Sequence, residues 1–224
     1  MPMRPMKFLS SSVGTKVLIA ITGLAFFLFL ILHLAGNLLI FAGADAFNSY
    51  SHALISNPLL LVAEAGLAAV FLLHIVKAAL NFVDNRRARP VGYEQKRWAR
   101  HTSRKSIAST TMIVSGLVIF AFLLLHLISF KFGTYYEDPT HHYRDLHRLV
   151  LEKFSHAGFA GFYVLCMVII GLHLRHGLAS ACQSLGIDHP RYNGLIRVGG
   201  ILLAVLIAGG FAAIPIWVYF AAAR

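Results

Sequence analysis

Four histidines stand alone in long apolar runs: His33 in Leu32-His33-Leu34, His74 in Leu73-His74-Ile75, His126 in Leu125-His126-Leu127 and His173 in Leu172-His173-Leu174. A single imidazole in such a run is by default a hydrogen-bonded structural group. Four in succession, one per run, point to chemistry, because a polar side chain in hydrocarbon is costly and normally faces a bundle interior for a purpose. Imidazole ligates metals through either ring nitrogen, so the four are candidate ligands.

The elements that carry them follow from composition. The 224 residues are 58% hydrophobic and 13% charged, with a mean hydropathy of +0.69. That excludes a disordered chain, a soluble enzyme with a polar surface and a disulfide-built secreted scaffold. Cys166 and Cys182 fall in or near one apolar stretch and read as small buried hydrophobes. Five stretches are long enough to cross a bilayer, about 20 residues each: 15–41, 58–82, 106–130, 154–184 and 196–222. The expected fold is an all-α integral membrane protein of one domain, 1–224, with five spans in an up-and-down bundle. The first stretch exceeds the 7–15-residue core of a signal peptide, so it is expected to remain in the mature chain.

Charge sets the orientation. The N-terminus, the 86–105 loop and the connection before the fifth span hold fourteen of the 20 Lys and Arg, against three acids. The positive-inside rule then places the N-terminus in the cytoplasm and the C-terminus outside, in a bacterial inner membrane. The net charge of +11 would suggest nucleic acid in a soluble protein; here it reports orientation, and no nucleic-acid partner is expected.

Depth sorts the histidines. His33 and His126 lie in the outer parts of the first and third spans, and His74 and His173 in the inner parts of the second and fourth. At 1.5 Å per residue the two layers should be roughly 10–15 Å apart. Two imidazoles per layer match a six-coordinate haem, which takes one axial ligand on each face. Zinc wants three or four convergent ligands, and a proton relay wants acids among the histidines, where only Glu64 qualifies. Two stacked haems would conduct electrons across the membrane, at potentials tuned by ligation and burial. A weak repeat accompanies the layers. Thr22-Gly23 precedes His33, and Ser115-Gly116 precedes His126, with the same spacing. Gly23 and Gly116 are candidate cofactor-binding positions, where a flat macrocycle could lie against backbone; ordinary small-residue helix packing is the alternative. The fifth span, with Gly199-Gly200, Gly209-Gly210 and Pro215, reads as packing material.

Around these positions, Glu64 is a candidate for proton exchange, at a quinone site on the resemblance given below, or else a headgroup-level acid paired with an outer Lys or Arg. His52 is a second candidate. Lys77, Arg175 and His176 lie inward of the inner layer and could pair haem propionates, or snorkel to lipid phosphates. Arg148 and Lys153 are comparable on the outer side. His101, His141, His142, His147, His156 and His189 read as loop or interface residues. The basic 86–105 loop reads both as an orientation signal touching anionic lipid and as a docking face for an acidic subunit.

The chain resembles the di-haem cytochrome b membrane anchor of succinate:quinone oxidoreductases and quinol:fumarate reductases, of the single-subunit five-helix type. The likeness runs from the first span through the fifth. It rests on Leu32-His33-Leu34-Ala35-Gly36-Asn37, on Ala44-Asp45-Ala46-Phe47-Asn48-Ser49 with His52, on His74, on Gly161-Phe162-Tyr163, and on His173 followed by Gly177-Leu178 and Leu185-Gly186. The resemblance implies that His74 and His173 hold the haem nearer the dehydrogenase, and His33 and His126 the far one. It also implies two haem b, a menaquinone or other quinone as substrate, and flavoprotein and iron–sulfur subunits as cytoplasmic partners. The chain would be the non-dehydrogenase subunit, carrying the quinone reaction. One departure stands out: a fumarate reductase of this family has a glutamate two residues before the fourth-span histidine, proposed as part of a proton path, where this chain has Gly171. Another bis-histidine cytochrome b anchor, of the formate dehydrogenase or hydrogenase type, and a haem-free transporter are the alternatives.

Overall fold

The structure is a computed structural model and describes residues 11–88 and 111–222. Helix α1, Ser12–Asn37, starts where the Ser11 side chain accepts from the Gly14 N–H at 3.0 Å, which satisfies one of the four free donors of its first turn. It tightens into a 3₁₀ turn, Leu38–Ala42, and ends at Gly43, whose φ of +103° suits a residue without Cβ. There the chain turns into the short helix α2, Ala44–Ile55. Helix α3 is Leu59–Arg87, entered through Asn57, whose side chain accepts from the Leu59 N–H. Helix α4, Met112–His126, passes into a π-helical turn, Leu127–Lys131, closed by the Phe132 N–H on the Leu127 carbonyl. Helix α5 is Leu146–Ser155, α6 is Ala157–Ser184 and α7 is Pro190–Ala222. No strand occurs among the described residues.

Five helices, α1, α3, α4 with its π turn, α6 and α7, are long and apolar enough to cross a membrane. They coincide with the five expected spans, with shifted ends. The fifth starts earlier, at Pro190, a residue favoured in a first helical turn because its missing N–H costs nothing there. The stretch from 106 to 110, expected to open the third span, lies outside the described residues, as does 89–105 of the basic loop. The fourth span begins only at Ala157. The apolar run read from residue 154 breaks at His156, which is extended (φ −83°, ψ 115°), and Phe154 belongs instead to α5. Helices α2 and α5 were not anticipated. Together with 133–145 they cover one end of the bundle, called here the capped end.

Packing centres on α6. It lies along α7 and against α1 and α4, and Phe27, Phe122, Tyr163, Met167, Ile170, Leu174 and Ile207 form the core between them. Two glycines of α7 serve this packing. A Cβ at Gly210 would meet Leu34 Cδ2 at 2.9 Å, and one at Gly200 would meet Leu178 at 3.5 Å. Helix α3 is peripheral: it packs along α1, and none of its residues is fully buried. Cys166 is buried and unbridged, as a small core hydrophobe should be; Cys182 is unbridged and half-buried.

Candidate ligand pairs in the bundle

His33 on α1 and His126 on α4 come together. Their ring centres are 5.9 Å apart and their planes nearly perpendicular. Aromatic side chains surround them: Phe29 stacks on His33 at 5.2 Å, Phe211 of α7 lies 5.6 Å from it, and Phe122 and Phe130 flank His126. Polar partners are sparse. The Asn37 amide nitrogen lies 3.3 and 3.4 Å from the two ring nitrogens of His33 while donating to the His33 carbonyl at 2.8 Å. Tyr163 Oη is 3.5 Å from His126 Nδ1.

His74 and His173 sit nearer the other end. His74 Nδ1 is 2.9 Å from Thr22 Oγ1 of α1, and His173 Nδ1 is 2.9 Å from Ser115 Oγ of α4. Thr22 is eleven residues before His33, and Ser115 eleven before His126. Along either helix the two levels are therefore about 16 Å apart, slightly more than the expected separation.

The small-residue repeat acquires a location. A Cβ at Gly23 would stand 3.4 Å from His74 Cε1, and one at Gly116 would stand 3.8 Å from His173 Cε1. Both glycines face imidazoles of the neighbouring helix rather than the histidine of their own. Sequence reasoning found the repeat through its equal spacing but gave the hydroxyls no partner.

The donor set suits a metal held from two sides. Imidazoles ligating one metal from opposite faces, at about 2 Å per bond, set their ring centres roughly 6 Å apart, close to the His33–His126 separation. Among the described residues no three His, Cys, Asp or Glu converge. The glycines let the His74 and His173 rings lie against the backbone of the neighbouring helix. The donor chemistry, imidazoles without carboxylate or thiolate beside them among the described residues, is what bis-imidazole ligation of a metal would need.

The remaining candidates scatter. Glu64 forms an ion pair with Lys131, tying α3 to the π turn at the capped end, with both side chains about two-fifths exposed. His52, on α2, stacks on Tyr143 with ring centres 4.7 Å apart, and His141 stacks on the same tyrosine at 5.1 Å. His52 and Tyr143, with Tyr135, His142 and Arg144, border a cavity of about 340 Å³ at the capped end. Lys77 lies three residues after His74 on α3, and His176 three after His173 on α6, each half-buried; Arg175 is exposed. Arg148 lies over the Tyr136 ring at 4.3 Å, and Lys153 is on α5. His101 lies outside the described residues. Gly171 faces α7, where a Cβ would meet Ala208 Cβ at 3.0 Å.

Comparison with protein-family models, with curated proteins and with solved structures finds no match to this chain.

Proposed function

We propose that this chain is the membrane anchor and electron-transfer subunit of a succinate:quinone oxidoreductase. It would hold two b haems between paired histidines and exchange electrons between an iron–sulfur subunit and menaquinone. The observation that supports the reading is the approach of His33 and His126 to 5.9 Å between ring centres, with His74 and His173 held by Thr22 and Ser115 eleven residues earlier on the same two helices. The resemblance in the loop motifs and histidine order supplies the choice of complex. When bound, haem supplies reversible one-electron chemistry, and stacked haems connect the two membrane faces.

The chain's own residues have separate tasks in this scheme. His33 and His126 ligate at the capped end, the outer one on the positive-inside reading, and His74 and His173 ligate toward the cytoplasmic partners. Lys77, His176 and Arg175, just inward of the second pair, offer cations or donors to propionates. Glu64, paired with Lys131 at the capped end, is the proposed proton-exchanging group beside the quinone. The basic 86–105 loop is the proposed docking face for the iron–sulfur subunit.

The test is spectroscopic. Purified complex should give the sharp α-band of low-spin bis-imidazole iron and two haems per copy of this chain. His74→Ala or His173→Ala should remove one haem, and His33→Ala or His126→Ala the other. A wild-type preparation with no α-band overturns the reading, and loss of the same haem from His33 and His74 variants overturns the pairing.

A further inference from the structure

Thr22 and Ser115 each bridge two helices at the ring of a candidate ligand, and their protons are accounted for. Thr22 Oγ1 lies 2.7 Å from the Leu18 carbonyl and 3.1 Å from that of Ile19. A carbonyl oxygen brings no proton to a contact that short, so the threonine hydroxyl donates there. Its lone pairs are then what faces His74 Nδ1 at 2.9 Å, and the imidazole must be the donor. Ser115 repeats the arrangement: its hydroxyl donates to the Met112 carbonyl at 3.0 Å and accepts from His173 Nδ1 at 2.9 Å. Both rings are thereby held with the proton on Nδ1, and Nε2 keeps its lone pair. In both cases the next residue is a glycine, set against Cε1 of the same ring.

We infer that Thr22 and Ser115 are positioning residues for the inner metal centre, fixing the Nδ1–H tautomer and the ring orientation of His74 and His173 so that both Nε2 atoms are presented to one iron. This rests on the haem reading above. A ligating histidine that donates its second N–H to a fixed acceptor is oriented and made more basic. Among the described residues the device belongs to one pair alone. The groups nearest His33 and His126 are the Asn37 amide nitrogen, which brings protons rather than accepting them, and the Tyr163 hydroxyl at 3.5 Å. Ordinary interhelical hydrogen bonding would also place hydroxyls between helices. It does not require two helix pairs to present a back-bonded hydroxyl to the same ring nitrogen with the same glycine beside it.

The experiment is a redox titration of the assembled complex, following both haems optically and by electron paramagnetic resonance. Thr22→Val keeps the shape and loses the acceptor; Ser115→Ala does the same on the other side. A less basic imidazole favours oxidised iron less, so each should raise the midpoint potential of the inner haem and change its g-values, while the outer haem stays put. Thr22→Ser, which keeps the hydroxyl, should return both readouts toward wild type. Loss of the inner haem alone in Thr22→Val, with recovery in Thr22→Ser, also supports the assignment. Unchanged inner potential and g-values, equal shifts in both haems, or joint loss of both haems would overturn it. Absence of haem from the wild-type complex would instead sink the reading on which it rests.

Discussion

Asn48 is fully buried and engaged at both ends of its amide. Its nitrogen donates to Asp145 Oδ1 at 2.8 Å, and its oxygen accepts from the His147 N–H at 2.9 Å. Asp145 also caps α5 by accepting from the Arg148 N–H. One side chain of α2 therefore organises the start of α5. Asn48→Ala leaves a buried donor and a charged acceptor short of a partner, which costs about 1–3 kcal/mol. The purified protein should melt at lower temperature, with α5 exchanging amide hydrogens faster, while Ser49→Ala at the neighbouring exposed position should leave both nearly unchanged. The same residue shows where sequence reasoning stops. The string around Asn48 stood out by resemblance, and Thr22-Gly23 by repetition, yet their partners lie 97 and 52 positions away. A residue type declares what it can bond; only the folded chain brings the partner.

At the scale of elements, the four membrane-depth histidines were legible because hydrophobic runs and depth require nothing beyond the run itself. Helix α5 was not. Leu149, Val150 and Phe154 are buried while Glu152 is exposed. Its last aromatic adjoins the apolar run of α6 and so merged with it in sequence. The loop before it has a built frame as well. Arg144 donates to the carbonyls of Phe130, Lys131, Gly133 and Thr134, closing the end of the π turn, and Asp138 accepts from the N–H groups of Thr140 and His141 at 2.9 Å. Those donors, the His141 N–H foremost, hold the Asp138 carboxyl below its usual range. A group depressed in the folded state stabilises above its unfolded value and loses that contribution as pH falls through the folded one. Amide protection at Thr140 and His141, corrected for the intrinsic exchange rate, should stay level at neutral pH and decline only in acid below the ordinary carboxylate range. Asp138→Ala should remove the protection at every pH; a decline centred near the histidine range would assign the frame to His141 or His142 instead.

For the molecule as a whole, the decisive contact is α6 against α7, because α6 carries both Tyr163 at one level and His173 at the other. Gly171 lies two residues before His173, and the position its Cβ would take is 3.0 Å from Ala208 Cβ. Real Cβ contacts are rarely so close, so even a methyl group forces the helices apart by a few tenths of an ångström. Overpacking of this kind costs about 1–3 kcal/mol. Gly171→Ala should lower the melting temperature, and adding Ala208→Gly should recover most of the loss, a coupling that a double-mutant cycle measures directly. Gly171→Glu should do far worse, since the longer side chain has no space between α6 and Ala208. The prediction reaches His173, because a displacement of α6 at 171 alters the 2.9 Å contact of His173 Nδ1 with Ser115 Oγ on α4 two residues on. On the haem proposal, weaker haem retention at the inner level in Gly171→Ala, restored together with the melting temperature by Ala208→Gly, would show that helix packing and ligand geometry are one constraint. Additive effects of the two substitutions would place the tolerance of α6 elsewhere. On this packing, any side chain larger than glycine at 171 meets α7 before it can reach the space between the helices.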